Sequence, residues 1–116
     1  SSMSVSVALI NEESNEGQFE RHLCNERQFR EFRRWTNLYG DYPTLNSFPL
    51  RYTGEDYRAT FSYNDEKTQA LLRELVDLAD KTATVFDVPD IYNHIIYTIM
   101  ELVTEAIKSE FTFVVV

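Results

Sequence analysis

Hydrophobic positions change period several times along the chain, and each change marks an element. Ser4-Val5-Ser6-Val7-Ala8-Leu9-Ile10 carries β-branched residues in partial alternation up to the polar run Asn11–Asn15, which predicts a strand. From about Glu16 the spacing lengthens: Phe19 and Leu23 are four apart, and Phe29, Phe32, Thr36 and Tyr39 follow at three- and four-residue steps. That spacing predicts helix, broken near Asn25, where Asn25 and Gln28 have the form of a capping box, with Gly40 as the C′ residue. Asp41–Ser47, with Pro43 inside and Pro49 just beyond, reads as loop because proline cannot donate to a helix or a ladder.

A hairpin is predicted next. Leu50-Arg51-Tyr52 leads into the turn Thr53-Gly54-Glu55-Asp56, and the returning strand sets Tyr57, Ala59, Phe61 and Tyr63 on one face. Asn64 or Asp65 can cap a helix with the stripe Leu71, Leu72, Leu75, Val76 and Ala79, while Glu66, Arg73, Glu74, Asp77 and Lys81 stay outside. Asp87–Asp90, with Pro89 near the first turn, opens a last helix. Its arc of Ile91, Ile95, Ile99, Leu102, Val103, Ala106 and Ile107 predicts the most buried helix of the chain. Phe111–Val116 is too β-branched and aromatic for loop and predicts a closing strand. The expected fold is α+β, a small sheet of about four strands packed with two or three helices, in the order β-α-β-β-α-α-β. With the two adjacent helices counted as one crossover, this resembles the β-α-β-β-α-β order of the ferredoxin-like fold.

A length of 116 residues suits a single globular domain over 1–116, with Ser1-Ser2 ahead of Met3 set aside as an expression remnant. Only three Gly and three Pro beside a 43% hydrophobic fraction argue against disorder. The lone Cys24 cannot form an intramolecular disulfide, so a cytoplasmic location fits, and no secretory signal or membrane-spanning run is evident. Nineteen acids against eleven bases, net charge -8, disfavour direct binding of nucleic acid or of an anionic membrane. The charge is uneven. Arg21–Arg34 holds five Arg against Glu26 and Glu31, whereas Asn64–Val116 holds ten acids against four bases.

Candidate chemistry is sparse. The glycines stand apart at 17, 40 and 54, so there is no nucleophile elbow or phosphate loop, and His22 and Cys24, two apart, point to different sides of a helix. No catalytic residue or cofactor is assigned. Asp90, His94, Glu101 and Glu105 share a stripe of the last helix with Tyr97, but one helix supplies only two well-placed metal ligands. The stripe also lies opposite the apolar arc, so it reads as a solvated face and no metal is assigned. Arg27, Arg30 and Arg34, with Arg33 beside them, can grip an anion bidentately; equally, Glu26–Arg30 is an i,i+4 pair and Arg33 and Arg34 suit a helix C-terminus. Half of the sixteen aromatics fall between Trp35 and Tyr63, where amphipathic rings serve either a core or a contact surface. Arg58–Tyr63 lacks the glycine of an RNA-recognition signature.

The functional expectation is a non-enzymatic acidic protein-binding module, of immunity or inhibitor type, that docks and neutralises a basic partner protein. Trp35, Tyr42, Tyr52 and Tyr57 would be its anchors and Asp77, Asp80, Asp87 and Asp90 its steering charges. Two alternatives stand beside it. One is a metal-dependent enzyme using the Asp90, His94 and Glu101 face. The other is a ferredoxin-like small-ligand sensor, a homodimer, with Arg30 and Arg34 holding an anion.

Overall fold

A computed structural model describes residues 4–49 and 59–116. Strand β1 (Ser4–Ile10) buries Val5, Val7 and Leu9 on one face, as the alternation predicts. After it the chain turns on asparagine. The Asn11 side chain accepts from the Glu13 amide at 2.9 Å, and Asn15 takes a left-handed φ of 57°, which asparagine tolerates better than most residues.

The chain then returns as β2 (Gly17–Asn25), antiparallel to β1, where the spacing of Phe19 and Leu23 predicts helix. The correction has a physical cause. β2 is the edge of the sheet and is exposed from Gly17 to His22, so no buried face imposes a period of two on its sequence. Two bulges blur it further. Val5 pairs with Cys24 but Ser6 with His22, leaving Leu23 extra, and Val7 pairs with Arg21 but Leu9 with Gln18, leaving Phe19 and Glu20 opposite Ala8. Leu23 and Cys24 can both turn inward because of the first bulge, and both are buried. At the second, Phe19 adopts a φ of 54°. For a bulky residue that is strained backbone, costing on the order of 1–3 kcal/mol.

Helix α1 (Glu26–Thr36) begins where β2 stops, with the expected capping box: the Asn25 side chain accepts from the Gln28 amide at 2.8 Å and the Gln28 side chain accepts from the Asn25 amide at 2.9 Å. It buries Phe29, Phe32 and Thr36 and ends at Asn37, so Gly40 lies beyond the cap and is not a C′ residue. A short 3₁₀ turn (Leu45–Ser47) follows, and β3 (Ala59–Ser62) carries the buried Phe61 of the predicted hairpin. The first strand of that hairpin, its turn and Tyr57 lie outside the described residues.

Helix α2 (Glu66–Thr82) is capped by Asp65 and buries Thr68, Leu71, Leu75, Leu78 and Thr82. This seam is rotated from the predicted one, so Leu72 and Ala79 flank it and Val76 faces outward. Helix α3 (Asp90–Ser109) buries seven residues against five on α2, adding Ile96 and Thr98 to the predicted arc. At its end Glu110 takes the left-handed cap at φ 60°, and β4 (Thr112–Val115) is buried along its whole length.

The sheet order is β2-β1-β4-β3, with every neighbouring pair antiparallel. The α+β class and a sheet of four strands packed with three helices match the sequence reading, and β1, β3 and β4 fall where it expects strands, but β2 does not, and the expected strand Leu50–Tyr52 lies outside the described residues. Among the described residues the element order departs at β2: a β1–β2 hairpin stands where a ferredoxin-like order needs a helical crossover after the first strand. Val5, Val7, Leu9, Phe61, Phe113 and Val115 meet the buried faces of α1, α2 and α3 in one core. Phe48, after the 3₁₀ turn, plugs it, with its ring 5.8 Å from Phe29, 5.5 Å from Phe61 and 6.3 Å from Phe113.

Candidate functional site

The loop that follows α1, from Tyr39 to Leu45, is tied to α2 by charge. Glu74 accepts from the amides of Thr44 and Leu45 at 3.1 and 3.0 Å, satisfying the open donors at the start of the 3₁₀ turn. One turn along α2, Asp77 accepts from the Tyr42 hydroxyl at 2.8 Å and pairs with Lys81 at 2.9 Å, while the Lys81 ammonium also donates to the Tyr39 carbonyl. The ammonium of Lys81, and next the hydroxyl of Tyr42, hold the Asp77 carboxyl below the usual carboxylate range. Burial first, and then the bond to Asp77, push the Tyr42 phenol well above its ordinary value. Tyr42 is only 2% exposed. It fastens the loop in this structure and presents no surface anchor, and Asp77 is its acceptor.

Trp35 is half-buried, its ring 4.9 Å from Tyr92 and 5.1 Å from Tyr39. Tyr52 and Tyr57 lie outside the described residues. Arg27 is exposed. Arg30 pairs with Glu26, and Arg33 donates to the Phe48 carbonyl with its guanidinium 5.7 Å from the Phe29 ring centre. Arg30, Arg33 and Arg34 do line one shallow cleft with Asn37, Asp41 and Asn46, without Arg27. Two of these three arginines are already engaged in holding α1 and the loop.

His94 Nε2 lies 3.0 Å from the His22 carbonyl of the edge strand, so that nitrogen donates, and Nδ1 is left to accept from the Thr98 hydroxyl at 3.3 Å. Among the described residues no three His, Cys, Asp or Glu side chains gather as a metal site, so the structure does not bring Asp90, His94 and Glu101 together as ligands. Cys24 is buried, and burial pushes its thiol up to about 12, which leaves little thiolate near neutral pH.

The end of the α2–α3 hairpin is different. Phe86, in the link between the helices, is 88% exposed, and Tyr97 on the outer face of α3 is 53% exposed. A groove there is lined by Thr82, Ala83, Val85, Asp87, Asn93 and Tyr97. Asp80 stands near the end of α2, Asp87 in the link at a φ of 62°, and Asp90 at the first position of α3, and all three are exposed. Among the described residues none of the three is in an ion pair. Three of the predicted steering charges therefore share one end of the molecule, while Asp77 is engaged with the loop. Phe86 was not singled out by the sequence reading; an aromatic side chain between two helices, outside both apolar stripes, is the signal that identifies it.

No protein-family model, curated protein or solved structure matches the chain. Among the described residues no helix is long and apolar enough to cross a membrane.

Proposed function

We propose that the protein is a non-enzymatic binding module that docks a basic partner protein at the α2–α3 end. The observation that carries this reading is the exposure of Phe86 and Tyr97 near three aspartates that form no ion pair among the described residues. Exposed aromatic rings release bound water when covered and serve as anchors, while a rim of uncompensated carboxylates steers a cation and penalises an acidic competitor. A net charge of -8 adds long-range attraction for the same class of partner. Inhibition or neutralisation of that partner is the consequence proposed for docking. The metal-dependent alternative is weakened because His94 is spent on the edge strand and Thr98.

The test starts with affinity capture of a partner from the source cell and continues with stopped-flow mixing at several ionic strengths. Association should slow as salt shortens the Debye length from roughly 30 Å at 0.01 M to about 10 Å at 0.1 M. Asp80→Asn combined with Asp87→Asn should slow it further, and Phe86→Ala should mainly speed dissociation. No saturable protein partner, or one whose rates ignore salt and all three substitutions, sinks the proposal.

A further inference from the structure

A second pocket lies at the other end of α3. It is a cavity of about 230 Å³ between the bulged edge strand and the helix, lined by Leu9, Phe19, Arg21, Glu101, Leu102 and Glu105. Its volume falls below the roughly 300–1,000 Å³ of pockets that hold drug-sized ligands, so its occupant is small. Leu9 and Leu102, both buried, bring its floor down to the core, and Phe19, 46% exposed, adds an apolar wall. Phe19 reaches that position only through the left-handed backbone of the second bulge, and a bulge is a device that re-aims a side chain. Strain of this kind in a bulky residue is retained where surrounding structure imposes it, and it clusters at ligand sites.

The charges complete the picture. Arg21 pairs in register with Val7, so the two project from the same face of the sheet, the face that packs on the helices. Glu101 and Glu105 stand one turn apart on α3, like charges that repel across a helix face. One guanidinium and two carboxylates thus line the same small pocket. Yet among the described residues Arg21 forms no ion pair, and its one side-chain hydrogen bond runs to the Glu20 carbonyl at 3.4 Å. Glu105 accepts from Ser109 at 2.8 Å, and among the described residues Glu101 accepts from no donor. Opposite charges that share a pocket without meeting leave a gap. A molecule that carries both charges in the reverse sense fills it: an ammonium toward the glutamates, a carboxylate toward Arg21, and an apolar body on Leu9, Leu102 and Phe19.

We propose that the pocket between β2 and α3 binds a small apolar α-amino acid as its zwitterion. Binding would relieve the repulsion between Glu101 and Glu105 and give Arg21 the bidentate partner that its geometry suits. Its glutamates are set apart from the aspartates of the docking surface proposed above, because Asp90 and Glu101 are eleven residues apart on α3, about 16 Å along its axis at 1.5 Å per residue, while Tyr97 lies one turn before Glu101 between the two.

The experiment is a two-dimensional amide NMR titration of the whole chain with leucine, isoleucine, valine, methionine and phenylalanine. Three truncated probes accompany leucine: 3-methylbutylamine without the carboxylate, 4-methylpentanoate without the ammonium, and glycine without the apolar body. At least one of the five amino acids should give saturable shifts in β2 and in α3 around Glu101–Glu105. If leucine binds, each truncated probe should bind about tenfold or more weakly: the amine and the acid each lose a hydrogen bond between charged groups, and glycine loses the burial of the apolar body. Arg21→Gln should erase the preference for leucine over 3-methylbutylamine, and Glu101→Gln the preference over 4-methylpentanoate. If another amino acid binds instead, its own amine and acid analogues take those places. Both altered residues are exposed, and the unperturbed spectrum of each variant verifies its fold. No saturable shift with any of the five, equal affinity of the truncated probes, or affinities untouched by both substitutions overturns the proposal. None of these outcomes depends on whether a protein partner exists.

Discussion

Helix α3 and strand β2 lie against each other, joined by the bond from His94 to the His22 carbonyl, yet they are specified in opposite ways. α3 crosses the middle of the core and buries a residue at nearly every third or fourth position from Ile95 to Ala106, so its sequence is written by burial. β2 is held by backbone hydrogen bonds to β1 along one side and buries only Leu23 and Cys24 of its nine residues. Its side chains carry almost no record of its conformation. The difference teaches where hydrophobic periodicity is informative: it reports the surface an element hides, and an edge strand that hides little reports little.

The first way to break this comparison is to truncate one side chain to alanine on each side. Ile99 is fully buried at the centre of α3, and Ile99→Ala should cost about 2–5 kcal/mol in chemical denaturation, through lost transfer energy and the cavity left behind. A surface truncation on β2, such as Gln18→Ala, should stay within about 0.5 kcal/mol. A loss below about 1 kcal/mol at Ile99 would mean that α3 does not carry the core in the way described.

The junction between β2 and α1 offers a sharper and smaller effect. There the local signal was fully legible, because the Asn25–Gln28 box is a pattern of side-chain hydrogen bonds rather than of burial. Asn25→Ala removes the acceptor for the Gln28 amide and should destabilise by about 1 kcal/mol, while Asn25→Ser should restore most of it. Equal stability of all three forms would show that β2 positions the start of α1 without the cap.

Legibility follows the same division across the molecule. β1, α1, α2, α3 and β4 could be read because each has a face turned to one core, and Phe61 placed β3 for the same reason. The hairpin of β1 and β2 could not, since its signal sits in the Asn11 side chain and the left-handed Asn15 instead of in any stripe. The candidate sites divide likewise. The gathering of Asp80, Asp87 and Asp90 around the α2–α3 link is legible from charge density, but Tyr42 reads as a loop aromatic. Only three-dimensional contact with Asp77, thirty-five residues away, reveals it as a buried brace. The β2–α3 pocket was invisible in the sequence because a helix at 16–25 would have put Phe19 and Arg21 on different faces, and only the bulged register brings them to one cavity with Glu101 and Glu105.

The smallest effect concerns Phe19 itself. Its side chain is about half exposed, so its removal forfeits part of the roughly 1.5–3 kcal/mol that full burial of a phenylalanine contributes. Its φ of 54° is a conformation that glycine adopts without a steric penalty, so Phe19→Gly also relieves strain of the order of 1 kcal/mol. Glycine loses more backbone entropy on folding than phenylalanine does, which takes back part of that relief. These terms nearly cancel, and the expected change in unfolding free energy lies within about 1 kcal/mol of zero. Phe19→Ala separates them, since alanine loses the same ring but keeps the left-handed penalty, and it should be the less stable of the two variants. Chemical denaturation of the three proteins side by side measures both differences. Should Phe19→Ala prove at least as stable as Phe19→Gly, the strand does not hold Phe19 in the left-handed region in solution. The bulge would then not be the feature that aims its ring into the pocket.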